Sequence, residues 1–177
     1  MQFRAAPLLP LLAATLFAVP ASAQMDHDQP HCAALSELPA PLASWRTPSA
    51  LQAAVDRKGA AARAMLTPGQ AVTAALRNTP DVAYSVRPAK PGGSVSYGGL
   101  ASFTVKEAGT WRVALGSGAW VDVVKDGKTA VSVAHGHGPD CSGIRKMVDY
   151  SLQPGRYTLQ IAANGEDKLT LLVTRLP

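Results

Sequence analysis

From residue 70 onward the apolar side chains recur at every second position, and this alternation commits the chain to strands with one buried face. Val72, Ala74 and Leu76 begin the pattern, and Val82, Tyr84 and Val86 repeat it. It returns at Ala101, Phe103 and Val105, at Trp111, Val113 and Leu115, at Val121 and Val123, and at Val131 and Val133. Val148, Tyr150 and Leu152, then Tyr157, Leu159 and Ile161, then Leu169, Leu171 and Val173 complete it. Turn formers stand between the runs: Glu107-Ala108-Gly109, Gly116-Ser117-Gly118, Asp126-Gly127, Gln153-Pro154-Gly155 and Asn164-Gly165. Asp-Gly and Asn-Gly favour positive φ at both central turn positions, so Asp126-Gly127 and Asn164-Gly165 predict hairpins. Short strands at this spacing, with no parallel βαβ unit, predict a mainly β fold: an antiparallel, jelly-roll-like β-sandwich over 67–177.

The segment before it follows other rules. Thr47-Pro48 reads as a helix start, with Thr47 as N-cap and Pro48 in the first turn. Ala50, Leu51, Ala54, Val55 and Ala62 then predict one short helix over 48–66, although Gly59 weakens it by about 1 kcal/mol against Ala. The sandwich and this helix are expected to form one domain over 48–177. Residues 24–47 are Pro-rich without periodicity and predict an extended N-terminal arm. Ahead of them come Arg4, an apolar run from Ala5 to Val19, and the small residues Pro20-Ala21-Ser22-Ala23. That order is the plan of a secretory signal peptide over 1–23, cut near Ala23. The run is shorter than the roughly 20 residues a spanning helix needs, so a periplasmic or secreted product with no transmembrane segment in the mature chain is expected. The formal charge is +5, but only Arg57-Lys58 and Arg145-Lys146 are adjacent cations. Nucleic-acid binding needs a clustered basic face and is not expected.

The two cysteines, Cys32 and Cys141, each have histidines within six residues: His27 and His31 on the arm, His135 and His137 in AHGHGPDCSG. In an oxidising compartment an even cysteine count predicts a Cys32–Cys141 disulfide. Closing a loop of about 100 residues stabilises by at most about 4.7 kcal/mol. Such a bond would hold the arm against the loop, and its loss is expected to free residues 24–47 first. It would also gather His31, His135 and His137, with His27, into one neighbourhood suited to zinc or copper. On a strand His135 and His137 share a face, being two residues apart. Asp26, Asp28 and Asp140 could add oxygen ligands. With the cysteines reduced, Cys32, Cys141, His135 and His137 would form a different metal site, which oxidising conditions disfavour. The plainer alternative is a structured glycine loop whose imidazoles bond backbone groups.

Other chemistry is sparse. There is no G-x-S-x-G elbow, phosphate loop, G-x-G-x-x-G or H-E-x-x-H, and Glu occurs only at 37, 107 and 166. Trp111 shares parity with Val113 and Leu115 and is expected in the core, while Trp45 is expected to pack the arm on the sandwich. Trp120 shares parity with Asp122 and Val124, a mixed face, and is the stronger candidate for ligand binding. Tyr97, in the glycine-rich bend Tyr97-Gly98-Gly99, is the weaker one. That bend predicts a bulge or a close backbone approach.

FTVKEAGTWRVAL (103–115) and VDYSLQPGRYTLQI (148–161) each run strand, Gly turn, aromatic, strand. They resemble hairpins of secreted β-sandwich modules, including prepeptidase C-terminal domains and carbohydrate-binding jelly rolls. KPGGSVSYGGLASF (90–103), GAWVDVVKDGK (118–128), AHGHGPDCSGIRKMVDY (134–150) and PGRYTLQI (154–161) together resemble a family of small exported alphaproteobacterial proteins. Some similar sequences bear the label homogentisate 1,2-dioxygenase. The resemblance implies a shared sandwich and a distinctive His/Cys loop. That enzyme's iron set of two His and one Glu has no counterpart beside His135 and His137, so no catalytic residue carries over.

These features lead to a non-catalytic periplasmic binding or accessory protein, taking a small ligand, a metal or another periplasmic protein. The alternatives are a small metal-dependent enzyme on the same histidines and a carbohydrate or protein interaction module using Trp120.

Overall fold

A computed structural model describes Cys32 and residues 37–177. The strands are β1 (Ser49–Gln52), β2 (Val72–Ala75), β3 (Arg77–Asn78), β4 (Tyr97–Val105), β5 (Gly109–Leu115) and β6 (Trp120–Lys125). They continue as β7 (Lys128–Thr129), β8 (Ser132–Gly136), β9 (Lys146–Leu152), β10 (Gly155–Asn164) and β11 (Lys168–Arg175). One sheet has the order β1-β2-β11-β5-β9-β8 and the other β3-β4-β10-β6-β7. Only β1–β2 is parallel. The inner faces meet in a core around Phe103, whose ring lies 5.6 Å from Tyr157 and 6.2 Å from Trp111. The alternating positions from β4 onward supply most of it, so the expected β-sandwich is the observed fold.

Consecutive strands mostly change sheet. The turn at Glu107-Ala108 carries the chain from β4 to β5, and Gln153-Pro154 carries it from β9 to β10, in each case across the sandwich. Both stretches expected to be hairpins are therefore corners. Each has a glycine in a positive-φ conformation, Gly109 (φ 151°) and Gly155 (φ 144°), and an aromatic two residues later. Trp111 Nε1–H donates to Glu107 O at 3.3 Å, and Tyr157 OH donates to Gln153 O at 2.9 Å. Each ring satisfies a carbonyl at its own bend, as in the tyrosine corner of other sandwiches.

The Asp126-Gly127 hairpin joins β6 to β7 with φ of 51° and 74°, as predicted. Asn164-Gly165 does not form a hairpin: β10 and β11 lie in different sheets. The positive φ falls on Ala163, and Asn164 is buried, its amide donating to Glu166 O and Lys168 O and its Oδ1 accepting from Ser117. The asparagine side chain here builds a crossing between sheets rather than a tight turn.

The predicted helix over 48–66 is divided. Residues 49–52 form β1, which satisfies the margin of β2, and a helix α1 occupies only Arg57–Ala62. Asp56, not Thr47, is its N-cap, its carboxylate accepting from Gly59 N–H at 2.6 Å. Thr47 instead closes a 3-10 helix over Ala40–Arg46. That helix lies in the segment expected to be extended. Leu42 and Trp45 pack on the outer face of the six-stranded sheet against Ala71, Ala114, Ile144 and Leu172, and Ser44 Oγ accepts from Ala71 N–H.

Two predicted strands behave differently. Residues 82–86 form none: they cross the outer face of the five-stranded sheet, held by Gln160. Val131 and Val133 flank the start of β8, where a bulge between Ser132 and Ala134 shifts register, and both are exposed. The close approach predicted at Gly98-Gly99 is present, since a Cβ on Gly98 would lie 2.6 Å from Ile161 O.

Candidate functional site

A cleft of about 710 Å³ opens where the two sheets end. On one side the six-stranded sheet finishes with β9 and β8. On the other, β7 pairs only with Val124 and Lys125, so the Trp120–Asp122 part of β6, paired with β10 along one edge, has no strand along its other edge among the described residues. Register sets what faces inward. Val113 and Leu115 are core residues, so their partners Val148 and Lys146 on β9 point the same way, as does Tyr150 opposite Trp111. His135 lies opposite Val148, and His137 follows two residues on. Both histidines line the cleft, although His137 falls just past the end of β8. Val121, Val131, Val148 and Tyr150 supply apolar wall.

The polar groups are unusual for so apolar a place. Lys146 is half-buried. Its Nζ donates to Ala119 O at 2.8 Å and lies 5.5 Å from the Trp120 ring centre. Lys90 approaches the same ring at 5.7 Å. Asp122 is 93% withdrawn from solvent by its 7% exposure, and its Oδ2 has no hydrogen-bond partner among the described residues. Trp120 Nε1 is likewise buried without a partner at hydrogen-bond geometry. Burial pushes the Asp122 carboxyl above the usual carboxylate range, against the smaller opposing pull of Trp120, Gln160 and Lys146. Burial lowers Lys146, repulsion from Lys90 lowers it further, and attraction to Asp122 opposes both. Tyr150, whose OH donates to Val121 O, is raised by burial and by Asp122.

The disulfide is present, joining Cys32 and Cys141 with Cα atoms 5.4 Å apart. The loop carrying Cys141 is tightly closed. Gly138 N–H donates to Ile144 O at 3.1 Å, and Ile144 is buried against the Trp45 patch. His137 Nδ1 lies 2.9 Å from Arg145 O. A carbonyl only accepts, so Nδ1 carries a proton, and Nε2 is the ring nitrogen left for another partner. No described cysteine is free, which removes the thiolate version of a metal site. Among the described residues, no three His, Cys, Asp or Glu come together as a metal set. His27 and His31 lie outside the described residues, as does the signal-peptide segment.

Of the two aromatic candidates, Trp120 lines the cleft, while Tyr97 sits at the start of β4 opposite Asn78 and Asn164 and does not. Sequence reading missed Lys146 and Asp122. The signal for Lys146 was legible: it shares inward parity with Val148 and Tyr150. Among the described residues no helix is long and apolar enough to cross a membrane. Comparison with known proteins finds no family model and no curated protein that matches this chain.

Proposed function

We propose that this is a periplasmic or secreted binding protein, delivered by a leader cut near Ala23, whose ligand site is the cleft beside Trp120. The observation that carries this reading is an apolar-walled cleft of about 710 Å³ in which the half-buried Lys146 meets the Trp120 ring with no carboxylate at ion-pair distance among the described residues. A partly buried ammonium without an ion-pair partner costs free energy, and a ligand that supplies one recovers part of that cost. The cleft volume also falls within the range of small-molecule sites. The disulfide and the leader pattern support export. The test is a titration of the mature chain with a fused-ring apolar probe, followed through the Trp120 indole N–H resonance. A saturable shift at Trp120, with Trp45 and Trp111 unmoved, is expected. No shift with any probe overturns the reading.

Zinc or copper held by His135 and His137 with His31 is a second reading, favoured by the place of the first two at one cleft and by the His137 Nδ1 bond to Arg145 O, which leaves Nε2 for another partner. Stoichiometric metal in untagged protein, lost from His135→Ala, would support it. Metal-free protein that gains none on titration would end it.

A further inference from the structure

We propose that the cleft takes small organic anions, the charged head held between Lys146 and Lys90 at the Trp120 ring and the apolar body laid against Val121, Val131 and Val148. This rests on the cleft being a ligand site and adds what it selects.

The charge balance points this way. The cationic residues Lys90, Lys146 and Arg145 line the cleft, against the single carboxylate of Asp122. Among the described residues, neither Lys90 nor Lys146 has a carboxylate at ion-pair distance; the only such pairs are Arg112–Asp149 and Arg175–Glu107. A partly buried ammonium is normally paired. Lys146 has three N–H donors and the structure shows one hydrogen bond for them, to Ala119 O. An anionic oxygen accepts from Lys146 and Lys90 and offsets the charge of the two ammoniums, which now share one aromatic ring.

The walls argue for an organic body rather than a bare inorganic ion. Phosphate would leave most of a 710 Å³ cleft empty. Val131 is 83% exposed at the rim, and an apolar body would cover it.

Two probes share a ring system and differ in charge: 8-anilinonaphthalene-1-sulfonate and neutral N-phenyl-1-naphthylamine. Each is titrated into the mature chain, with the Trp120 indole N–H as the readout. The sulfonate is expected to bind at least roughly tenfold tighter than the amine. Lys146→Gln, which keeps a donor for Ala119 O, should raise the sulfonate Kd about tenfold, or about 1.4 kcal/mol, and leave the amine unchanged. Lys90→Gln, at an exposed position, should act in the same direction and does not threaten folding. Inorganic phosphate should not shift Trp120. Equal affinities for the two probes, insensitive to either lysine, overturn the anion proposal while leaving an apolar binding cleft. A Trp120 shift with phosphate alone overturns the organic body. Silence at Trp120 with both probes removes the binding site itself.

Discussion

Gln160 grips the backbone of Val86 at both ends of one amide: its Oε1 accepts from Val86 N–H at 3.1 Å, and its Nε2 donates to Val86 O at 3.0 Å. The same Oε1 accepts from Ser85 N–H at 2.6 Å. The glutamine is fully buried on the outer side of β10 and takes the place of a neighbouring strand for a segment that forms none. That segment leads to Lys90, so the grip also positions one of the cations at the cleft.

Gln160→Leu keeps the volume and removes every one of these bonds. It leaves backbone groups of Ser85 and Val86 without partners, at about 1–3 kcal/mol for each that stays buried. A loss of about 2–4 kcal/mol in urea unfolding is expected, with new hydrogen exchange at the Ser85 and Val86 amides. Unchanged protection there would show that the grip is not what holds the segment.

Joint replacement of Cys32 and Cys141 by Ser should lower stability by at most about 4.7 kcal/mol, the chain-entropy estimate for a loop of this length. The arm is not expected to leave as a whole. Leu42 and Trp45 are buried independently of the bond, and Ala71 N–H donates to Ser44 Oγ at 3.0 Å. Hydrogen exchange should therefore keep Ala71 protected while Gly138, in the loop beside Cys141, opens. If Ala71 opens along with Gly138, the covalent tether alone docks the arm.

Asp122 gives a pH dependence with a definite sign. Its folded-state pKa is raised by burial, so its contribution favours the fold below the unfolded carboxyl value of about 3.9 and is lost as pH rises through the folded value. Asp122→Asn lacks this loss. The variant and the native protein should melt alike near pH 3, and the variant should melt a few degrees higher at pH 7. A gap that narrows with rising pH would mean that Lys146 outweighs burial.

The two corners predict losses of different size. Tyr157→Phe removes the bond to Gln153 O and leaves the ring in place, at about 1 kcal/mol. Trp111→Phe removes the bond to Glu107 O but also shrinks a core side chain, so its cost should be larger. Equal midpoints for native and Tyr157→Phe protein in urea would show that the Gln153 carbonyl is satisfied otherwise.

Period and turn chemistry were enough to find the sandwich, because one-sided burial writes itself into alternate residues. They could not tell a hairpin from a corner. Glu107-Ala108-Gly109 and Gln153-Pro154-Gly155 bend the chain either way, and the choice lies in which distant strand each half meets. Residues 48–66 misled for a related reason. Their alanines suit a helix, but β2 needed a neighbour, and pairing with residues 49–52 outweighed weak propensity. The disulfide was legible from compartment and count. Half of the cleft was legible too, through Trp120 and the spacing of His135 and His137. The inward parity of Lys146 was legible, but its meeting with Asp122 was not, since that depends on two strands from opposite sheets ending at one margin.

The last strand, β11, stands between β2 and β5, in the interior of its sheet. A nascent chain that stops short of Lys168 therefore lacks the piece joining the β1–β2 ribbon to the other three strands. Assembly must wait for residues 168–175, and a chain still short of them holds its larger sheet in two unjoined pieces.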